Sequence, residues 1–192
     1  MATFKAPESI PFSGDAEADA LLAHEPIALL IGFALDQQVT VQKAFGGPLE
    51  LRRRIGTLSA VDIAAMDPTT LEESFKERPA LHRFPGAMAR RVQDLCAAVV
   101  RDYAGDAARV WTGATDGADL ERRLLGLPGI GQMKAGSIIA VLVNRFGYRV
   151  PGWETVMPDH PTLGDVDSAE SLAAYQAGKR ARKAGLRAAA RA

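Results

Sequence analysis

The five residues Leu127-Pro128-Gly129-Ile130-Gly131 sit between two stretches of helical pattern and leave the chain few ways to continue. Before them, Leu120, Leu124 and Leu127 recur one turn apart behind an acidic N-cap candidate, Asp119. After them, Ala135, Ile138, Ile139, Leu142, Val143 and Phe146 share one face, the spacing of an amphipathic helix against a core, and Gly147 ends it. Pro128 cannot continue the first helix, while Gly129 and Gly131 permit a tight reversal that no side chain covers. The pattern predicts a helix-hairpin-helix in which amide N–H groups at the start of the second helix point outward. Amides gathered at the positive end of a helix dipole suit a phosphate oxygen. A plain turn between antiparallel helices satisfies the same pattern.

The rest of the chain reads as all-α. Ser13 is placed as the cap of a short helix through Ala16, Leu21 and Leu22, and Pro26 opens a core helix carrying Ile27, Leu30, Ile31, Ala34 and Leu35. Two adjacent amides, Gln37 and Gln38, then break the apolar stretch. Residues 48–55 and 59–66 read as short helices, and Asp67 caps a third that starts at Pro68 and reaches Glu77. The turn from Leu81 to Arg91 leads into a long helix containing Cys96 and ending near Tyr103. After Gly147, Pro151, Gly152, Pro158 and Pro161 impose roughly 20 irregular residues before a last helix from Ser168 or Ala169. Three parts are expected: an N-terminal segment 1–25, a helical domain 26–147, and an irregular segment with last helix and basic tail, 148–192.

With 192 residues, 47% of them hydrophobic, the chain can bury a core of its own. Its formal net charge is zero, so any affinity for a polyanion has to come from how charge is distributed. Acids gather early, at Glu8, Asp15, Glu17, Asp19 and Glu25. Lys179, Arg180, Arg182, Lys183, Arg187 and Arg191 end the chain without one acid among them. Arg52, Arg53 and Arg54 read as a solvated face. The single cysteine, Cys96, lies in an apolar run, which makes it a small buried hydrophobe and excludes an internal disulfide or a four-cysteine metal site. The longest apolar run, Ile27 to Leu35, is far short of the roughly 20 residues that span a bilayer. A cytoplasmic, monomeric protein with no membrane partner is expected.

The Leu-Pro-Gly-Ile-Gly hairpin with a helix on either side resembles the helix-hairpin-helix (HhH-GPD) superfamily of DNA glycosylases, which includes endonuclease III, the adenine glycosylases and the alkylbase glycosylases. Two further stretches agree in order. Leu35-Asp36-Gln37-Gln38-Val39-Thr40-Val41 is similar to a Gln-Gln-Val-Ser-Val stretch of the alkylbase glycosylases, and the Leu81–Arg91 turn corresponds to the loop that carries an apolar wedge. The resemblance covers about Pro26 to Phe146.

The resemblance implies a helix-hairpin-helix glycosylase fold with a reduced second lobe, since only one helix has room to follow. It implies a partner, double-stranded DNA with a damaged or mispaired base, and a reaction in which that base is flipped out and its N-glycosidic bond hydrolysed. Gln38 would fill the gap left in the duplex and Phe84 would be the wedge, with Leu81 or His82 as alternatives. Arg83, Arg90 and Arg91 would meet the DNA backbone. Gly129, Ile130, Gly131, Met133 and Lys134 would contact DNA at the hairpin, and Gln37 and Met133 would line the base pocket. The carbonyls of Leu125, Leu127 and Ile130 would hold a monovalent cation. No other cofactor is implied, and an iron–sulfur cluster lacks its cysteines. On DNA the protein would be nucleoid-associated.

Two departures from the family pattern bear on the chemistry. The lyase-competent members place a lysine two residues after the final glycine, where this chain has Met133; Lys134 is one residue later. One residue is a rotation of about 100° on a helix, so Lys134 is expected to point away from the pocket, which implies a monofunctional enzyme. The family's catalytic aspartate falls on Pro151, and only an insertion brings Val166-Asp167-Ser168 into register. Asp167 is therefore the first candidate, Asp165 the second and Asp159 the third, while Asp167 or Ser168 equally suits the N-cap of the last helix. Two functions fit: a monofunctional glycosylase, or a DNA-structure-binding protein that kept the hairpin and lost catalysis.

Overall fold

The computed structural model describes residues 5–189, without the side chains of 183 and 185–189. Of the basic tail, the side chains of Lys183 and Arg187 and the whole of Arg191 thus lie outside the described residues. Within them the fold is all-α with no strand.

Helix α1 (Ala16–His24) is capped by Asp15, whose carboxylate accepts from the N–H groups of Glu17 and Ala18. Ser13, the residue expected there, instead donates its hydroxyl to Asp19 at 2.6 Å. Helix α2 (Pro26–Leu35) is buried on nearly every side from Ala28 onward. Helix α3 (Val41–Ile55) begins seven residues before Pro48, because the Thr40 hydroxyl caps it by accepting from Lys43 N and Pro48 is accommodated inside. Phe45 of α3 meets Phe12 and Phe33 edge-on, each with ring centroids 5.0 Å apart. Gly32 makes room for it: a Cβ there would lie 2.5 Å from the Phe45 ring. These contacts bind residues 5–12, α2 and α3 into one core, to which Ile10 and Phe12 contribute fully buried side chains.

Helices α4 (Ala60–Ala65) and α5 (Pro68–Lys76) pack on α6 (Pro85–Tyr103). Cys96 is wholly buried on α6, and burial pushes its thiol up to about 12, so it is an inert hydrophobe. The arginine run on α3 is no solvated face. Arg54 is 4% exposed in its side chain and donates to the carbonyls of Ser74, Glu77 and Pro79, while Arg52 and Arg53 pair with Glu25 and Glu17. Of the early acids, Glu17 and Glu25 are taken up in these pairs.

After the short α7 (Arg109–Thr112), α8 (Gly117–Leu125) is capped by Asp116, whose extended backbone brings its carboxylate to 2.8 Å from Asp119 N. Asp119, the expected cap, sits in the first turn and accepts from Thr115 N, Arg122 and Arg123. Helix α9 (Gln132–Asn144) buries every apolar position of the expected face. The 3-10 turns Trp153–Val156 and Leu163–Asp165 fill the irregular stretch. The second presses on α9 so closely that a Cβ on Gly164 would lie 2.4 Å from the Ala140 backbone. Helix α10 (Ala169–Ala189) lies against α3 through a 2.8 Å bond from Gln176 to Gln42. Among the described residues no single helix is long and apolar enough to cross a membrane; α1 and α2 qualify only as a pair bent by 115°, and most of α2 is buried in the core.

Candidate nucleic-acid interface

The hairpin is held by its own backbone. Ile130 N donates to Leu127 O at 3.1 Å, and the Gly131 carbonyl takes the N–H groups of Lys134 and Ala135, both at 2.9 Å. Gly129 adopts φ +86°, where a side chain is strained, and a Cβ on it would also lie 2.6 Å from Arg91 Cδ. Gly131 differs: its φ of −97° suits any residue, and a Cβ there would meet nothing within 4 Å. Neither fold nor packing calls for a glycine at 131, but an approaching backbone would. No side chain caps α9, and the N–H groups of Gly131, Gln132 and Met133 find no partner among the described residues. At the start of α6, by contrast, the Glu72 carboxylate already lies beside Gly86. The carbonyls of Leu125 and Ile130, expected to hold a monovalent cation with that of Leu127, accept no hydrogen bond among the described residues, and that of Leu127 accepts one.

The first turn of α9 reverses the expected roles of Met133 and Lys134. Met133, expected to face the base pocket, is 61% exposed. Lys134 turns inward and donates to Gly129 O at 3.1 Å and to Ala34 O, at the end of α2, at 3.2 Å. Because α9 starts only at Gln132, its second residue lies on the outer rim and its third faces α2. Burial depresses the Lys134 amine to about 8; nearby Asp36 works against this, and Arg91 and Lys179 add to it.

A second tie joins the glutamine turn to the Phe84 turn. His82, 2% exposed, bonds to Gln37 O through Nε2 at 2.9 Å and to Phe84 N through Nδ1 at 3.0 Å. Since Nδ1 must accept from an amide, the ring is the neutral Nε2–H tautomer, and burial keeps its pKa below the ordinary value. Leu81 is equally buried, which leaves Phe84, 43% exposed under the Arg83 guanidinium, as the apolar group that faces solvent here. Gln38, also exposed, holds φ +54°, a left-handed conformation that costs a non-glycine residue about 1–2 kcal/mol. Of four large apolar side chains exposed among the described residues, Phe84, Leu125 and Met133 belong to the hairpin or to this turn.

Arg91, expected at the DNA backbone, and Asp36, Tyr175 and Lys179, which sequence reasoning did not give this place, complete the neighbourhood. Arg91 packs under Gly129 with its Nη1 buried and unpartnered. Asp36, 15% exposed in its side chain, is the carboxylate beside Lys134, and Lys179 of α10 reaches to 3.9 Å from it while lying over the Tyr175 ring. None of the expected carboxylates bonds Lys134. Asp165 is committed to a capping box, accepting from Thr162 N at 2.8 Å and from Asn144 at 3.3 Å. Asp167 is exposed at the entry to α10, where its N–H bonds Ser171, and Asp159 projects into solvent beside His160. A local signal existed for Asp36, which directly precedes the two glutamines; for Tyr175 and Lys179 there was none.

No family model, curated protein or solved structure gives a significant match to this chain.

Proposed function

We propose that this protein is a DNA glycosylase that grips duplex DNA at the hairpin, extrudes a damaged or mispaired base and hydrolyses its N-glycosidic bond. One observation carries the reading. His82 ties the Gln37-Gln38 turn to Phe84, and Lys134 ties the end of α2 to Gly129, so three segments far apart in sequence meet. An uncapped helix start, an exposed phenylalanine and a strained exposed amide are what backbone contact, wedging and gap filling require. The strain at Gln38 is the kind a fold retains for a working residue.

Met133 lies on the outer rim, so its presence at the family's lysine position is no argument against an amine in the site. At a pKa of about 8, roughly a tenth of the Lys134 amines are neutral at pH 7, enough to make a covalent step testable. The deciding assay incubates the protein with duplexes carrying single lesions, reveals abasic sites with alkali, and repeats the reaction with borohydride. Base release without trapping indicates hydrolysis alone. Trapping that vanishes in Lys134→Ala indicates an amine attack. A second reading, DNA-structure binding without catalysis, is favoured by the commitment of Asp165 to capping and the exposure of Asp167 at the entry to α10. Tight binding to bent or gapped duplexes with no base released from any lesion would select it.

A further inference from the structure

A cavity of about 360 Å³ lies between the Leu163–Asp165 turn and α10. It lies beside the cluster just described, because Lys179 lines it and sits 3.9 Å from Asp36, one residue before the glutamine pair. Its walls are mainly apolar, with Val166, Ala174 and the half-buried Tyr175 ring among them. Most polar groups facing it are already occupied. Asp165 accepts from Thr162 N and Asn144, the Thr162 hydroxyl holds Gly164 N, and the Ser171 hydroxyl holds the amides of Asp167 and Ser168. What remains is Lys179, only loosely paired, and Arg182, which makes no ion pair among the described residues. Both are donors and cannot accept.

We infer that this cavity is a nucleobase site in which Tyr175 stacks on the ring and Lys179 and Arg182 meet a carbonyl-bearing edge, selecting uncharged, acceptor-rich bases and rejecting cationic ones. The size lies at the small end of ligand pockets, which suits one planar ring system. A base with exocyclic oxygens, such as uracil, hypoxanthine or an oxidised purine, offers lone pairs to both cations. The cavity also carries one carboxylate, Asp165, held by Thr162 and Asn144, so its lining bears two cations against one anion and a purine with a ring-alkyl positive charge adds a third cation to that surplus. The choice of a nucleobase as occupant rests on the reading above; the preference for acceptors over cations rests on the lining alone.

The test uses the full chain and free ligands. Hypoxanthine and cationic 7-methylguanosine are titrated separately, with tyrosine fluorescence and saturation-transfer NMR as readouts. Hypoxanthine should bind at least tenfold more tightly. Tyr175→Ala should weaken it about tenfold or more, the loss of one stacking partner. Lys179→Glu should narrow or reverse the preference; if the Tyr175 variant unfolds, this exposed substitution carries the test. Equal or tighter binding of the cationic nucleoside, or indifference to both variants, overturns the inference. Excision of cationic alkylated bases by an enzyme insensitive to Tyr175→Ala would overturn it and leave the glycosylase reading standing. Binding of hypoxanthine as described, with no base released from any duplex, would support the site and remove the glycosylase.

Discussion

His82 donates from Nε2 to the backbone carbonyl of Gln37 at 2.9 Å, a bond across 45 residues of sequence that fixes where the glutamine turn stands relative to the Phe84 turn. Its other nitrogen is taken by Phe84 N, so a charged ring would lose that second bond. Burial holds the folded-state pKa below the ordinary 6.5, and the unfolded chain therefore takes up the proton first as pH falls. The contribution of His82 to stability is full above about pH 6.5 and declines as pH drops toward and through the folded-state pKa. His82→Leu should cost about 1–3 kcal/mol at pH 7.5, the penalty for stranding buried partners. Urea unfolding of both proteins between pH 7.5 and 4.5 should show that difference shrinking with acid; a constant difference would place the proton elsewhere.

Gln38 stands at φ +54° with its side chain in solvent. Glycine removes the left-handed strain but adds freedom to the unfolded chain, so Gln38→Gly should be neutral or more stable by up to about 1 kcal/mol. The same variant should reduce base extrusion, followed with a fluorescent base analogue, more than it reduces plain duplex affinity. A stability loss above about 1 kcal/mol would show that the amide is held by the fold rather than offered to a ligand.

The two hairpin glycines should separate cleanly. Gly129→Ala meets both a forbidden φ and Arg91 and should destabilise by about 1–2 kcal/mol. Gly131→Ala meets open space at an ordinary φ and should leave the melting temperature unchanged or slightly raised. It should nonetheless weaken binding to all duplexes alike, because a backbone contact carries no base information. Full duplex affinity in Gly131→Ala, measured by fluorescence anisotropy, would remove the hairpin from the interface.

Lys134 should titrate near pH 8 when its methylated amine is followed by carbon NMR, well below the ordinary lysine value of 10.5. Its folded-state pKa is depressed from 10.5, so between about pH 8 and 10.5 the unfolded chain holds the extra proton and this residue's share of stability rises with pH. Lys134→Met should flatten that rise. An amine titrating above pH 10 would mean that Lys134 is solvated and that the ties to Ala34 and Gly129 do not persist in solution.

The helices were legible wherever side-chain chemistry acts locally. Pro26 and Pro68 at first helical positions, Asp67 as a cap, and the apolar face from Ala135 to Val143 stand as periodicity predicts, while Phe146 is buried just past the helix, which ends at Asn144. The misplacements share a cause, for Ser13, Asp116 and Asp119 are all competent caps and the choice among them depends on backbone angles set by the surrounding fold. Lys134 was misjudged because a rotation argument needs the first residue of the helix, and a single position exchanges rim for interior. Asp36, Tyr175 and Lys179 come together only because α10 crosses the end of α2, a contact no local pattern encodes.

Gly164 has a mechanical consequence. Its contact with Ala140 leaves no slack, so the wall of the cavity between the Leu163–Asp165 turn and α10 is mounted on the same rod that begins at the hairpin. From Gly131 to Ala140 that rod measures roughly 13 Å along its axis. Hairpin and cavity wall thus stand at a set spacing, like the jaws of a fixed-length caliper; on the function proposed above, a nucleotide swung from a duplex at one jaw would have to span the gap that the helix dictates.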